Sequence, residues 1–91
     1  MPAREIEIIN KLGLHARASA KFVGVAGRFK ETTIRVGRTP KSMIDGKSIM
    51  AMMMLAAGKG TKIHLATEGK EAQEAMDALV ALINNYFDEG E

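Results

Sequence analysis

The spacing of the apolar residues alternates between that of strands and that of helices along this sequence. The order of the strand-like and helix-like segments restricts the possible folds more than any other feature does. Four short stretches alternate apolar and polar residues, as half-buried strands do, and two longer ones repeat every three to four residues, as amphipathic helices do. A third longer stretch is apolar throughout, between a possible N-cap at Ser48 and a helix end at Gly58. The predicted strands are residues 5–9, 32–36, 42–44 and 62–67, and the predicted helices are residues 16–29, 49–57 and 72–86. The order βαββαβα leaves too few residues for parallel crossovers throughout. It therefore predicts an antiparallel α+β layer pair with the three helices on one side of the sheet.

The apolar faces of these elements predict which residues form the core. In the strands we expect Ile6, Ile8, Ile63 and Leu65 to point inward and His64 to point outward. The last helix has the strongest apolar stripe and must lie on the sheet. Its members are Ala72, Ala75, Met76, Leu79, Leu82, Ile83 and Tyr86.

Length and composition narrow the class of protein. Ninety-one residues make a single domain, residues 1–91, and the absence of cysteine excludes disulfides and thiolate zinc sites. No run approaches the roughly 20 apolar residues of a membrane span, and the N-terminus lacks the regions of a secretion signal. We therefore expect a cytoplasmic protein without membrane insertion. A net charge of +2 permits an acidic protein partner but is low for a dedicated nucleic-acid binder.

A lone histidine precedes the first predicted helix, in the stretch NKLGLHARASAKF of residues 10–22. The first turn of a helix has N–H groups without a partner inside the helix, and these form an anion site. His15 stands beside this site, and Arg17 can aim its planar donors at phosphate oxygens. The positive end of the helix and the Arg17 guanidinium should both favour a neutral imidazole, which can attack phosphorus. On spacing alone, a simple polar capping residue is the commoner explanation of such a histidine.

Two segments resemble HPr, the histidine-containing phosphocarrier family of the bacterial phosphoenolpyruvate-dependent phosphotransferase system. NKLGLHARASAKF is similar to the family's active-site segment, and GKSIMAMMMLAAGKGTKI is similar to its regulatory-serine region. The resemblance covers essentially the whole chain. It implies an open-faced β-sandwich with strand order 1-4-2-3.

The resemblance also implies roles for single residues. His15 matches the phosphorylated histidine, whose ring nitrogen nearest the backbone takes the phosphoryl group from enzyme I and passes it to sugar-specific enzyme IIA domains. Arg17 matches the arginine that steadies the phosphoryl group. Ser48 matches the serine that an ATP-dependent kinase, HPr kinase/phosphorylase, modifies in some bacteria. Such a carrier is a substrate of other enzymes rather than an enzyme, and it needs no metal or cofactor of its own.

The second predicted helix is apolar on every side, although a helix of this length beside a small sheet must face water in part. We expect Ile49, Met50, Met53 and Met54 to form an exposed docking patch, because methionines adapt to partners of different shape. The alternative is a core filled with methionine. The resemblance places this helix beside His15, and we expect Ala16 and Ala20 of the first helix to contact partners as well.

Ser48 is predicted to cap the second helix through its side-chain oxygen. Phosphorylation there would add charge at a helix start, which the helix tolerates, so it should block docking without unfolding the chain.

Two other functions remain open at this stage. A regulatory paralogue in a nitrogen-related phosphotransfer branch would have the same sequence features. A small RNA-binding α+β domain is the more distant alternative, but aromatic residues make up only 4% of the chain and no strand carries a stacking pair. We expect a monomer.

Overall fold

The computed structural model describes residues 2–89, and it confirms the predicted order of strands and helices. The strands are β1 (Ala3–Glu7), β2 (Thr32–Gly37), β3 (Met43–Asp45) and β4 (Lys62–Gly69). The helices are α1 (Ala16–Ala26), α2 (Ile49–Met54) and α3 (Ala72–Asn84), and a single 3-10 turn follows at Tyr86–Asp88. All strand pairs are antiparallel and the sheet order is β1-β4-β2-β3, as the resemblance implied.

The core lies between one face of the sheet and the helices. β4 is a central strand, and its Ile63 and Leu65 are fully buried, with Ile63 opposite Ile6 of β1 and Leu65 opposite Val36 of β2. Each such side chain contributes about 1.5–3 kcal/mol when it leaves water. α1 packs against both other helices, and α3 packs on β4 and β2. The helices therefore cover one face of the sheet, as predicted.

Two helices end earlier than their apolar patterns predicted. α1 stops at Ala26 rather than at Phe29, and Gly27 follows as its C-cap. α2 stops at Met54 rather than at residue 57, because Ala56 has a left-handed backbone, with a φ of +53°, that cannot continue the helix. The Arg38 guanidinium donates to the carbonyls of residues 55 and 56, at 3.0 and 2.6 Å.

The prediction that the apolar stripe of the last helix extends to Tyr86 is wrong. α3 ends at Asn84, and Tyr86, Phe87 and Asp88 all have positive φ angles, between 53° and 63°. This left-handed turn ends the helical spacing of the side chains. Phe87 is therefore fully buried, whereas Tyr86 is 38% exposed. Among the described residues, no helix is long and apolar enough to cross a membrane.

Candidate functional site

The backbone before α1 is held by a tight turn that only glycine fits well. Gly13 has a φ of +65°, and a Cβ there would lie 2.5 Å from the carbonyl oxygen of Ala57. The next residue, Leu14, is buried, and its N–H donates to the same Ala57 carbonyl at 2.8 Å. The Ser19 hydroxyl, also buried, donates to the Leu14 carbonyl at 3.1 Å. These contacts fix the backbone on which His15 stands.

His15 occupies the N-cap position of α1 but does not use its side chain as a cap. Its backbone is extended, with φ −73° and ψ −179°, and the ring makes no capping hydrogen bond. The first helical hydrogen bond runs from the Ser19 N–H to the His15 carbonyl at 2.9 Å. The side chain is 28% exposed. The simple capping interpretation is therefore wrong, and the ring is open to a partner.

The ring faces an open cleft of about 620 Å³ that carries more positive than negative charge. Its lining residues are Lys11, Leu12, His15, Ala16, Arg17, Lys21, Asp88 and Glu89. Three of them are basic and two are acidic, and Lys21 lies 3.8 Å from Asp88. The cleft thus places Arg17 beside His15, as the sequence predicted, and adds Lys11 and Lys21. Such a cleft favours an anionic group.

A carboxylate from the far end of the chain contacts the His15 ring. Glu89 Oε2 pairs with His15 Nε2, and Glu89 Oε1 accepts a 2.9 Å hydrogen bond from the side-chain amide of Asn10. Desolvation raises the pKa of Glu89, but the hydrogen bonds from Asn10 and His15 and the charges of His15 and Arg17 outweigh it. The pKa of Glu89 therefore lies below its ordinary value, and the group is a carboxylate near neutral pH.

Sequence reasoning missed both Asn10 and Glu89. Asn10 is fully buried, and its amide also donates to the Gly13 carbonyl at 2.8 Å. The two residues are 79 positions apart, so no local spacing brings them together. The one available signal was the amide side chain of Asn10, which directly follows the apolar pair Ile8 and Ile9.

The second predicted segment lies on α2. Ser48 is its N-cap, and the Ser48 hydroxyl oxygen accepts a 3.2 Å hydrogen bond from the Ala51 N–H. All four residues of the predicted patch are exposed, namely Ile49 at 43%, Met50 at 74%, Met53 at 44% and Met54 at 80%. Met52 is fully buried, so the methionines divide between surface and core.

Other residues around the site complete this surface. Ala16 and Ala20 are exposed on α1, which packs against α2. Leu12, which the sequence analysis did not single out, is 67% exposed in the turn before His15. An apolar surface therefore accompanies the charged cleft.

The second histidine has a different environment. His64 Nε2 lies 3.5 Å from Glu5 Oε2 across the β1–β4 pair, and the two side chains are 29% and 52% exposed. Within residues 2–89, no three His, Cys, Asp or Glu side chains are grouped so as to hold a metal ion.

Comparison with known proteins identifies the family. The family profile described as PTS HPr component phosphorylation site matches residues 2–85. The phosphocarrier protein HPr of Pseudomonas putida is 72% identical over 91 residues, which is the full length of both chains. The chain belongs to the HPr family. HPr proteins carry phosphoryl groups and are not catalysts themselves, and membership implies partners within the phosphotransferase system in general.

Solved structures agree with this family and its fold. HPr-C-His from Thermoanaerobacter tengcongensis is 42% identical and superposes with a TM-score of 0.90 over 98% of each chain. An HPr dimer from the same organism is 41% identical, with a TM-score of 0.73 over 96% of this chain and 98% of that one. Because one HPr structure is described as a dimer, the monomeric state of this chain stays a prediction.

Proposed function

We propose that this chain takes a phosphoryl group from phospho-enzyme I on the Nδ1 atom of His15 and passes it to sugar-specific enzyme IIA domains. The observation that carries this proposal is the position of the ring, which is partly exposed at the start of α1 in a cleft that also contains Arg17. Nδ1 is the nitrogen that remains for phosphorus, because Nε2 is paired with Glu89.

The transfer needs a site that attracts the phosphoryl group without trapping it. The positive end of α1 contributes about 0.3–1 kcal/mol toward an anion, and a charge-assisted hydrogen bond from Arg17 contributes about 1.5–3 kcal/mol. The N–P bond itself holds the group between two encounters, and these few kilocalories per mole stabilise its negative charge. A much deeper well would slow the second transfer.

The chemistry is an exchange of one bond for another. The lone pair of Nδ1 attacks phosphorus, an N–P bond forms, and the bond between phosphorus and its donor atom on enzyme I breaks with its electron pair left on the donor. In the second transfer an acceptor on the IIA domain attacks phosphorus, and the electron pair of the N–P bond returns to Nδ1. The exposed oxygens of the group face Arg17 throughout.

The apolar patch of Ile49, Met50, Met53 and Met54 is the surface on which partners dock, together with Ala16 and Ala20 of α1. Exposed methionines and a packed neighbouring helix support this role, since an adaptable surface suits several partners. Ser48 lies at the edge of this patch, and its modification by HPr kinase/phosphorylase would place a charged group there. We propose that the chain acts in the cytoplasm as a monomer.

Labelling from phosphoenolpyruvate tests the proposal. Incubation with enzyme I and labelled phosphoenolpyruvate should give an adduct that is labile in acid and stable in base. His15→Ala should take no label, whereas His64→Ala, the matched control, should be labelled like the wild type. Label that persists in His15→Ala would refute the assignment of His15.

A further inference from the structure

We propose that Glu89, held in place by Asn10, is a positioning residue that keeps the proton of the His15 ring on Nε2 and so leaves Nδ1 free to attack phosphorus. The proposal rests on the function proposed above, in which His15 is the phosphoryl acceptor. It concerns a side chain near the other end of the sequence that the motif around His15 does not include.

The chemistry of the contact selects one tautomer of the ring. A neutral imidazole has one N–H donor and one bare nitrogen, and a carboxylate can only accept. Because Glu89 Oε2 is paired with Nε2, the hydrogen must lie on Nε2 in the neutral ring. Nδ1 then carries the lone pair, which is the electron pair that forms the bond to phosphorus.

Asn10 fixes the direction of the Glu89 carboxylate. The Asn10 amide nitrogen donates both to the Gly13 carbonyl at 2.8 Å and to Glu89 Oε1 at 2.9 Å. Since Asn10 is fully buried, its amide has little freedom to turn. The Gly13 turn that positions His15 therefore also positions the amide that holds Glu89.

The left-handed turn before Glu89 brings this carboxylate to the ring. Three consecutive residues with positive φ, Tyr86–Asp88, cost conformational energy that nothing but tertiary contacts can offset. The buried Phe87 ring supplies such a contact, and strained backbone of this kind tends to occur at functional sites. The arrangement delivers Glu89 to the side of the ring opposite the reacting nitrogen.

The same contact assists the transfer itself. As the N–P bond forms, the ring gains positive charge, and the carboxylate on Nε2 compensates that charge without facing the phosphoryl oxygens. When the phosphoryl group leaves, the ring returns to the neutral tautomer with Nδ1 free. Both transfers therefore begin and end with the proton on Nε2.

The other histidine of the chain provides an internal comparison. Its partner, Glu5, lies 3.5 Å from His64 Nε2, is 52% exposed and lies on the uncovered face of the sheet. Among the described residues, no buried amide donates a hydrogen bond to Glu5 as Asn10 does to Glu89. We therefore expect His15, and not His64, to be held in a single tautomer.

Nitrogen NMR of the ¹⁵N-labelled full-length chain tests the tautomer directly, because the two-bond couplings of each ring show which nitrogen carries the proton. Above the titration range of both rings, wild-type His15 should be wholly in the Nε2–H form. In Glu89→Ala it should shift toward the mixture of a free imidazole, while the His64 signals stay unchanged. A proton on Nδ1 in the wild type, or unchanged His15 signals in Glu89→Ala, would overturn the proposal.

The rate of transfer at saturating phospho-enzyme I separates positioning from a merely structural role. Glu89→Ala should slow the single-turnover rate about tenfold, by analogy with the hydrogen-bond partners that orient metal-binding histidines. Glu89→Gln should be slower still, on the order of 100-fold. In this variant the side-chain carbonyl must accept the hydrogen bond from Asn10, so the side-chain NH₂ group faces Nε2. Because Nε2 must then accept a hydrogen bond, the proton of the ring moves to Nδ1. Glu5→Gln, the matched control, should react like the wild type.

The comparison of the transfer rates of Glu89→Gln and Glu89→Ala decides whether Glu89 positions the proton or only supports the structure. If Glu89 only supported the structure, the isosteric glutamine would be milder than alanine, and a milder or equal effect of Glu89→Gln therefore overturns the proposal. The NMR measurement needs no partner protein. A wild-type chain that enzyme I fails to phosphorylate would refute the proposed function, whereas the ring tautomer tests the positioning role by itself.

Discussion

His15 is oriented by residues that the chain brings from both ends of the sequence. Asn10 and Gly13 form the turn beneath it, Arg17 lies beside it in the cleft, and Glu89 contacts its outer nitrogen. Local sequence predicted His15, Arg17 and the Ser48 cap, because these depend on the start of a helix and on a motif. It could not predict Asn10 and Glu89, because their contact depends on the tertiary fold and on a left-handed turn.

The Glu89 carboxylate at the ring should make stability depend on pH. The pKa of Glu89 lies below its ordinary value of 4.5, because the Asn10 and His15 hydrogen bonds and the neighbouring positive charges outweigh the opposing desolvation. A carboxylate with a lowered pKa contributes stability that is fully present above its unfolded pKa and is lost as the pH falls through the folded pKa. Below about pH 4.5, the free energy of unfolding should therefore fall more steeply in the wild type than in Glu89→Gln.

Urea unfolding followed by circular dichroism from about pH 7 to about pH 3 measures this difference. Curves for the wild type and Glu89→Gln that remain parallel over the whole range would contradict the electrostatic role of the carboxylate.

Among the elements, α1 depends on the turn that precedes it and α2 on its cap. Sequence patterns located both helices but extended them too far. At Ala26 the reason is local, since the backbone beyond Gly27 tightens into i→i−3 turns, from the Arg28 N–H to the Val25 carbonyl and from the Phe29 N–H to the Ala26 carbonyl. After Met54 the backbone turns left-handed at Ala56, and Arg38, which follows β2, donates to the carbonyls of residues 55 and 56, a contact that no periodicity reveals.

Two glycine substitutions test the turn before α1. Gly13→Ala should lower the free energy of unfolding by about 2–4 kcal/mol, because alanine is strained at positive φ and its Cβ would press on a backbone oxygen. Gly24→Ala is the matched control. Gly24 lies within α1 with no atom within 4 Å of an added Cβ, so this change should stabilise the chain by about 0.5–1 kcal/mol. Chemical denaturation of both variants measures the difference, and equal effects of the two would contradict the account.

Two substitutions of Ser48 separate the effect of losing the helix cap from the effect of adding a negative charge. Ser48→Asp keeps an oxygen that accepts from the Ala51 N–H, so the fold should remain while the added charge beside the patch lowers the rate of transfer. Ser48→Ala should instead lose about 1 kcal/mol of stability and keep its transfer rate. Thermal melts and transfer assays of both variants test this. An unfolded Ser48→Asp chain, or one with an unchanged rate, would refute the proposed mechanism.

At the scale of the whole molecule, the antiparallel sheet and its three helices bring the start of α1 and Glu89 to one place. The alternation of apolar residues predicted the strands and the covered face, because those patterns report burial. It could not rank the strands in the sheet, and the order 1-4-2-3 came from the resemblance. Nor did it predict that the chain would reverse at Tyr86 and bury Phe87, since the helical stripe continues through that position.

The location of phosphorus on the loaded chain tests the central claim most directly. The ¹⁵N-labelled protein is phosphorylated with enzyme I and phosphoenolpyruvate, and the coupling between ³¹P and the ring nitrogens is measured by NMR. We predict a direct coupling to Nδ1 of His15, with the proton on Nε2. Phosphorus bonded to Nε2, to His64 or to no histidine would contradict the account.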